Sequence, residues 1–108
     1  MDKNQLVIFS SFPDRESAEK LATLLVEEGL AACVNLVTGV TSIYRWQGNL
    51  HREPECLLII KTNTARFEAL RGRVRALHPY QIPEIIAIPV SHGDDDYLRW
   101  LNQSTRLP

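Results

Sequence analysis

The sequence predicts an α+β domain whose elements run β-α-β-β-α-β, with an additional C-terminal helix. Three observations point there. Four apolar runs have strand length, and two segments between them carry apolar residues at helical spacing. Turn residues and helix caps separate the elements where the pattern changes. At 108 residues with 44% apolar content, the chain has room for one core, so residues 1–108 are read as a single domain.

The first strand covers Gln5 to Phe12, where Leu6-Val7-Ile8-Phe9 is apolar on both faces. Pro13-Asp14 stops it, and Asp14 is a helix N-cap with Glu16 in the dipole-favoured first turn. Ala18, Leu21, Ala22 and Leu25 then recur at i, i+3, i+4 and i+7, and Gly29 closes the helix in a left-handed conformation. Ala31 to Trp46 is one long extended segment, bent or bulged at Thr38-Gly39. Gln47-Gly48-Asn49 is a turn, and Glu55 to Thr62 returns as the hairpin partner. Thr64 is the expected cap of the second helix, with Phe67, Leu70, Val74 and Leu77 as its buried stripe and His78-Pro79 as its end. Glu84 to Val90 is the fourth strand. Gly93-Asp94-Asp95-Asp96 opens the last helix, whose apolar residues are Tyr97, Leu98, Trp100 and Leu101; a polar, frayed tail is expected from Asn102. This order is the split-βαβ, ferredoxin-like arrangement, with both main helices on one face of a four-stranded antiparallel sheet.

The other face of that sheet predicts assembly. Leu57 to Ile60, Ile85 to Ile88 and Leu6 to Phe9 have no polar break, although a sheet with one wet face should alternate. About half of these side chains point away from the helices. Leaving a large aliphatic side chain wet forgoes roughly 1.5–3 kcal/mol. Packing against further copies of the chain is therefore expected, with the terminal helix folding back over the face as the alternative.

Charge and motifs exclude several functions. The formal net charge of −1 offers no footprint for nucleic acid or an anionic membrane, and no window has the length and apolarity of a transmembrane helix. The first residues lack the apolar stretch of a signal peptide, so a cytoplasmic location is expected. Cys33 and Cys56 form no CxxC pair and are expected as reduced, packed thiols. No GxSxG motif or phosphate-cradling glycine loop occurs, and an enzyme is not expected. Glu53 and Glu55 share a strand face, a spacing that suits an exposed strand more than an acid–base pair.

Several stretches together resemble the CutA family of divalent-cation tolerance proteins. They are Leu30-Ala31-Ala32-Cys33-Val34-Asn35-Leu36, Ser42-Ile43-Tyr44-Arg45-Trp46-Gln47-Gly48, Leu58-Ile59-Ile60-Lys61-Thr62, the run from Leu77 through His78-Pro79-Tyr80-Gln81-Ile82-Pro83-Glu84 to Ile86, and Tyr97-Leu98-Arg99-Trp100-Leu101. The resemblance implies a homotrimer of ferredoxin-like subunits in the style of the PII signalling proteins. It also implies divalent metal ions as partners, copper among them, with no required cofactor and no settled reaction. Gln81 stands where many members carry Glu, and Ser10-Ser11 where some carry Cys; each removes a candidate ligand.

Two site expectations follow. Cys33 and His78 are the candidate metal ligands, a thiolate and an imidazole suited to soft or borderline ions. His78 also stands at a helix C-terminus, where the dipole favours its charged form. Lys61, Tyr80 and Glu84, with Trp46 and Trp100 as interface anchors, are expected to converge on an intersubunit cleft. There they either form a structural network, with Glu84 and Lys61 as an ion pair, or hold a small metabolite or anion as a PII-like sensor would.

Overall fold

The computed structural model describes residues 4–105. Strands β1 (Gln5–Phe12), β2 (Cys33–Trp46), β3 (Asn49–Asn63) and β4 (Ile86–Pro89) form one antiparallel sheet in the order β2-β3-β1-β4. Helices α1 (Arg15–Glu27) and α2 (Thr64–Leu77) connect them, and α3 (Asp95–Ser104) follows β4. The α+β, ferredoxin-like expectation and the extra helix are thus met within the single chain. Among the described residues no helix is long and apolar enough to cross a membrane.

Alternation divides the sheet into two faces. Leu6, Ile8 and Phe12 of β1 and Cys56, Leu58 and Ile60 of β3 point toward α1 and α2 and are buried with Leu21, Leu25, Leu70 and Val74. Asp14 caps α1 as expected, its Oδ1 accepting from the Ser17 amide at 2.7 Å. Gly29 takes a φ of 70°, the left-handed value that ends the helix. Glu28 receives Arg73 Nε at 2.8 Å, tying α1 to α2, and this hydrogen bond holds the Glu28 carboxyl below its usual range.

The hairpin is longer than expected. β3 begins at Asn49, so the turn is only Gln47-Gly48, with φ values of 51° and 80°. Positive φ at both central residues is the hairpin turn whose twist matches that of the strands. Pro54 falls inside the ladder opposite Thr41. Thr38 and Gly39 together oppose Cys56 between the Val37↔Leu57 and Val40↔Glu55 pairs, which is the expected bulge, and Gly39 has a φ of 76°. Beyond that bulge the hairpin leaves β1 behind, since β1 ends at the Phe12↔Cys56 pair. Seven residues a side then project as a two-stranded arm of about 24 Å.

Other boundaries moved for identifiable reasons. Asn63, not Thr64, caps α2: its Oδ1 accepts from the Arg66 amide at 3.2 Å while Thr64 is the first helical residue. Leu77 is exposed rather than part of the buried stripe. β4 is confined to four residues, because pairing with β1 stops at Phe9↔Ile86. The chain is not frayed at Asn102. Thr105 is buried, and Asn63 Nδ2 donates to Thr105 Oγ1 at 2.8 Å and to Asn102 Oδ1 at 3.1 Å. Arg66 Nε donates to the Thr105 carbonyl at 2.7 Å.

The outward face of the sheet is mostly apolar, with Lys61, Asn35 and Ser11 as its polar members. Its rows run Cys33–Lys61–Val7–Ile88, then Asn35–Ile59–Phe9–Ile86, then Val37–Leu57–Ser11. Helix α3 lies against the Gln5–Asn63 end of β1 and β3 and buries Gln5. Ile86 and Ile88 remain 54% and 47% exposed, so α3 covers one end of the face and leaves its β4 edge open.

Candidate functional site

The residues flanked by prolines between α2 and β4 build a site around His78. This side chain is buried and stacks on Phe12, with ring centroids 4.1 Å apart. Its Nε2–H donates to the Ser11 carbonyl at 2.8 Å, and its Nδ1 accepts from the Tyr80 amide at 3.0 Å. Those two partners define a neutral ring protonated on Nε2. Ser11 lies beyond the last β1–β4 pair, so the imidazole satisfies a strand carbonyl that β4 no longer reaches. Burial holds the His78 pKa below its ordinary value, against the raising effects of the Ser11 bond and Glu55. The dipole-favoured imidazolium expected at this helix end is therefore not the form the fold selects: desolvation outweighs the dipole here.

His78 in turn aims Tyr80. The phenol donates to Glu55 Oε2 at 2.5 Å, and burial, followed by that bond, raises the Tyr80 pKa well above its usual value. The proton thus stays on the phenol. Glu55 is only 8% exposed, so the reading of Glu53 and Glu55 as an exposed pair fails for Glu55. Glu53 stays at the surface, 3.9 Å from His51, whose ring stacks on Tyr44 at 5.2 Å.

A cleft of about 640 Å³ opens beside this network. The arm supplies Ser42, Ile43, Tyr44, Trp46 and Glu55, and the connector supplies Pro79, Tyr80, Gln81, Ile82 and Glu84. Ser11 forms part of the wall and donates to Glu84 Oε1 at 3.5 Å, a weak contact.

Of the expected cleft residues, Trp46, Tyr80 and Glu84 meet here within one chain. Lys61 does not: it pairs with Val7, four positions from Ser11 along β1, a separation of about 13 Å. The expected Glu84–Lys61 ion pair is absent among the described residues; Ser11 is the partner of Glu84 instead. Trp100 lies on α3, half-exposed and tilted against Tyr97 at 5.5 Å, outside the cleft lining. Cys33 is half-buried at the start of β2, on the outward face beside Lys61 rather than in the core. Cys56 is the packed thiol, and burial raises its pKa. Cys33 and His78 sit at opposite ends of β1, and no group of three His, Cys, Asp or Glu side chains converges among the described residues. A metal bound by His78 would have to break one of its two ring bonds. Glu55 and Tyr44 were missed as cleft residues; only the hairpin register, which puts Glu55 opposite Val40 beside the end of β1, would have found Glu55.

Fold and cleft define a class, that of small ferredoxin-like domains with an extended hairpin arm and an uncovered apolar sheet face. Within that class, residues 6–104 match the family model described as CutA1 divalent ion tolerance protein. The Divalent-cation tolerance protein CutA of Thermus thermophilus is 52% identical over 99 residues, covering 92% of this chain and 96% of that one. Its counterpart from Escherichia coli is 45% identical, covering 94% and 90%. A solved structure of the divalent cation tolerance protein from Thermus thermophilus superposes with a TM-score of 0.92 at 50% identity, covering 94% and 99%. The chain belongs to the CutA1 family of divalent ion tolerance proteins.

Proposed function

We propose that this divalent-cation tolerance protein works as a cytoplasmic homotrimer that binds copper or another divalent cation and catalyses no reaction. The observation that carries the assembly is the uncovered sheet face. Phe9, Ile59, Ile86 and Ile88 lie on adjoining rows of it, and Ile86 and Ile88 are left about half exposed. Such a patch favours burial against further copies. Metal binding is supported by the relatives' names and by the half-buried Cys33 thiol, a ligand type that soft ions prefer. Cys33 is the ligand the reading leans on; His78 joins it only if the connector rearranges. Sedimentation of dilute wild type tests the assembly: a folded 12.3 kDa protomer refutes it. Copper titration of wild type and Cys33→Ser tests the ligand, and equal stoichiometric binding by both refutes the role of the thiol.

A second reading rests on the cleft. A concavity of this size, walled by aromatic and apolar side chains with a few polar groups, is the usual form of a small-molecule site. In this reading the protein is a PII-like sensor of a metabolite, and no metal is physiological. Thermal shifts across a metabolite panel that vanish in Trp46→Leu support it.

A further inference from the structure

The cleft has a charge of one sign. Its lining carries two carboxylates, Glu55 and Glu84, and neither lysine nor arginine. Among the described residues neither carboxylate forms an ion pair. Glu55 is nine-tenths buried, and among the described residues its carboxylate has one hydrogen bond, from the neutral Tyr80 phenol to Oε2, which leaves Oε1 for an occupant of the cleft. A carboxylate withdrawn from water is costly unless a cation and hydrogen bonds compensate it.

The rest of the wall selects the kind of cation. Tyr44, Trp46 and Tyr80 line it with aromatic rings, and Ile43 and Ile82 with aliphatic side chains. A hard divalent ion needs a shell of oxygen ligands, and a soft one needs sulfur or imidazole. Isoleucines and ring faces serve neither. They suit a cation that carries its own apolar body, since ring faces attract ammonium groups.

We propose that this cleft binds a small organic cation, an alkylammonium whose charge meets Glu55 and Glu84 and whose carbon body lies on Tyr44, Trp46 and Tyr80. This deepens the second reading above, on which it rests, by naming the ligand class.

The test is calorimetric titration of the purified protein in its native assembly with n-butylammonium, 1,4-diaminobutane and tetramethylammonium. Succinate, phosphate and Mg²⁺ are titrated alongside. Saturable binding of the alkylammonium probes is expected, one per chain, weakened about tenfold in Glu84→Gln through loss of a charge-assisted contact. Trp46→Leu, a change on the exposed arm, provides a second variant if Glu84→Gln fails to fold, and it should weaken the same binding. Fluorescence in a Trp100→Phe background reports Trp46 and should change only with the ammonium probes. Absence of saturation by every ammonium probe at concentrations up to about 10 mM overturns the proposal. So do affinities unchanged in both variants, or tighter binding of Mg²⁺. Binding of the anions alone, or a Trp46-dependent thermal shift with a metabolite that carries no ammonium group, overturns the cation class and leaves the small-molecule reading standing.

Discussion

Replacing His78 with phenylalanine isolates what its two ring nitrogens do. Phenylalanine preserves a planar ring against Phe12 but removes the donor to the Ser11 carbonyl and the acceptor for the Tyr80 amide. A buried polar group stripped of its partner costs about 1–3 kcal/mol. Ser11 and Tyr80 are half-buried, so water can reach them and the low end applies. Two groups at about 1 kcal/mol each give a loss of about 2 kcal/mol, or roughly 8–16 °C in Tm for a domain near 100 residues. The assay is thermal unfolding at fixed protein concentration, because any assembly makes Tm concentration-dependent. The pH dependence supplies an independent sign. The folded-state pKa of His78 lies below its unfolded value, so the unfolded chain binds more protons between the two. The stability from this group is complete above an unfolded pKa of about 6.5 and declines as pH falls from there toward the folded value. Wild type should lose stability below about pH 6.5 more steeply than His78→Phe. Equal Tm and equal pH slopes for the two proteins would refute the reasoning.

Other substitutions probe the joints of the fold. Asn63→Ser keeps an N-cap oxygen for α2 but loses the donors to Thr105 and Asn102, for about 1–2 kcal/mol; Asn63→Ala adds loss of the cap, about 1 kcal/mol more. Identical denaturation midpoints for the two would show that the cap contributes nothing. Gly48→Ala puts a side chain at a φ of 80° and should cost about 1–2 kcal/mol, read by thermal unfolding at fixed protein concentration. Gln47→Asn, at a φ of 51°, should be neutral or stabilising in the same melt, since asparagine is favoured there. Ile86→Lys places a charge on the uncovered face, at its β4 edge; dissociation with retained circular dichroism is expected, and an unchanged sedimentation profile would argue against an interface there.

The elements that were legible in the sequence are those whose signals are local. Asp14 and Asp94 cap their helices because a short acceptor side chain reaches the amide three residues on, and that geometry needs no tertiary partner. Neighbouring cap candidates were harder. Asn63 and Thr64 both qualify by type, and Asn63 wins because its amide nitrogen also reaches α3, a helix about forty positions away. The outer half of β3, from His51 to Glu55, is polar and interrupted by Pro54. It becomes strand because the turn at Gln47-Gly48 zips it to β2, and nothing in its own composition announces that.

By itself the sequence determined the order of the elements, the capped starts of α1 and α3 and the presence of an apolar outward face, because all three follow from periodicity and side-chain type. Only the tertiary structure decided that Lys61 stands apart from the cleft, that Cys33 is on the outward face while Cys56 is in the core, and that His78 is neutral. It also withdrew Glu55 from water beneath Tyr80. Each of these depends on register or burial, and register between distant strands is set by the packing of the whole sheet rather than by any one segment.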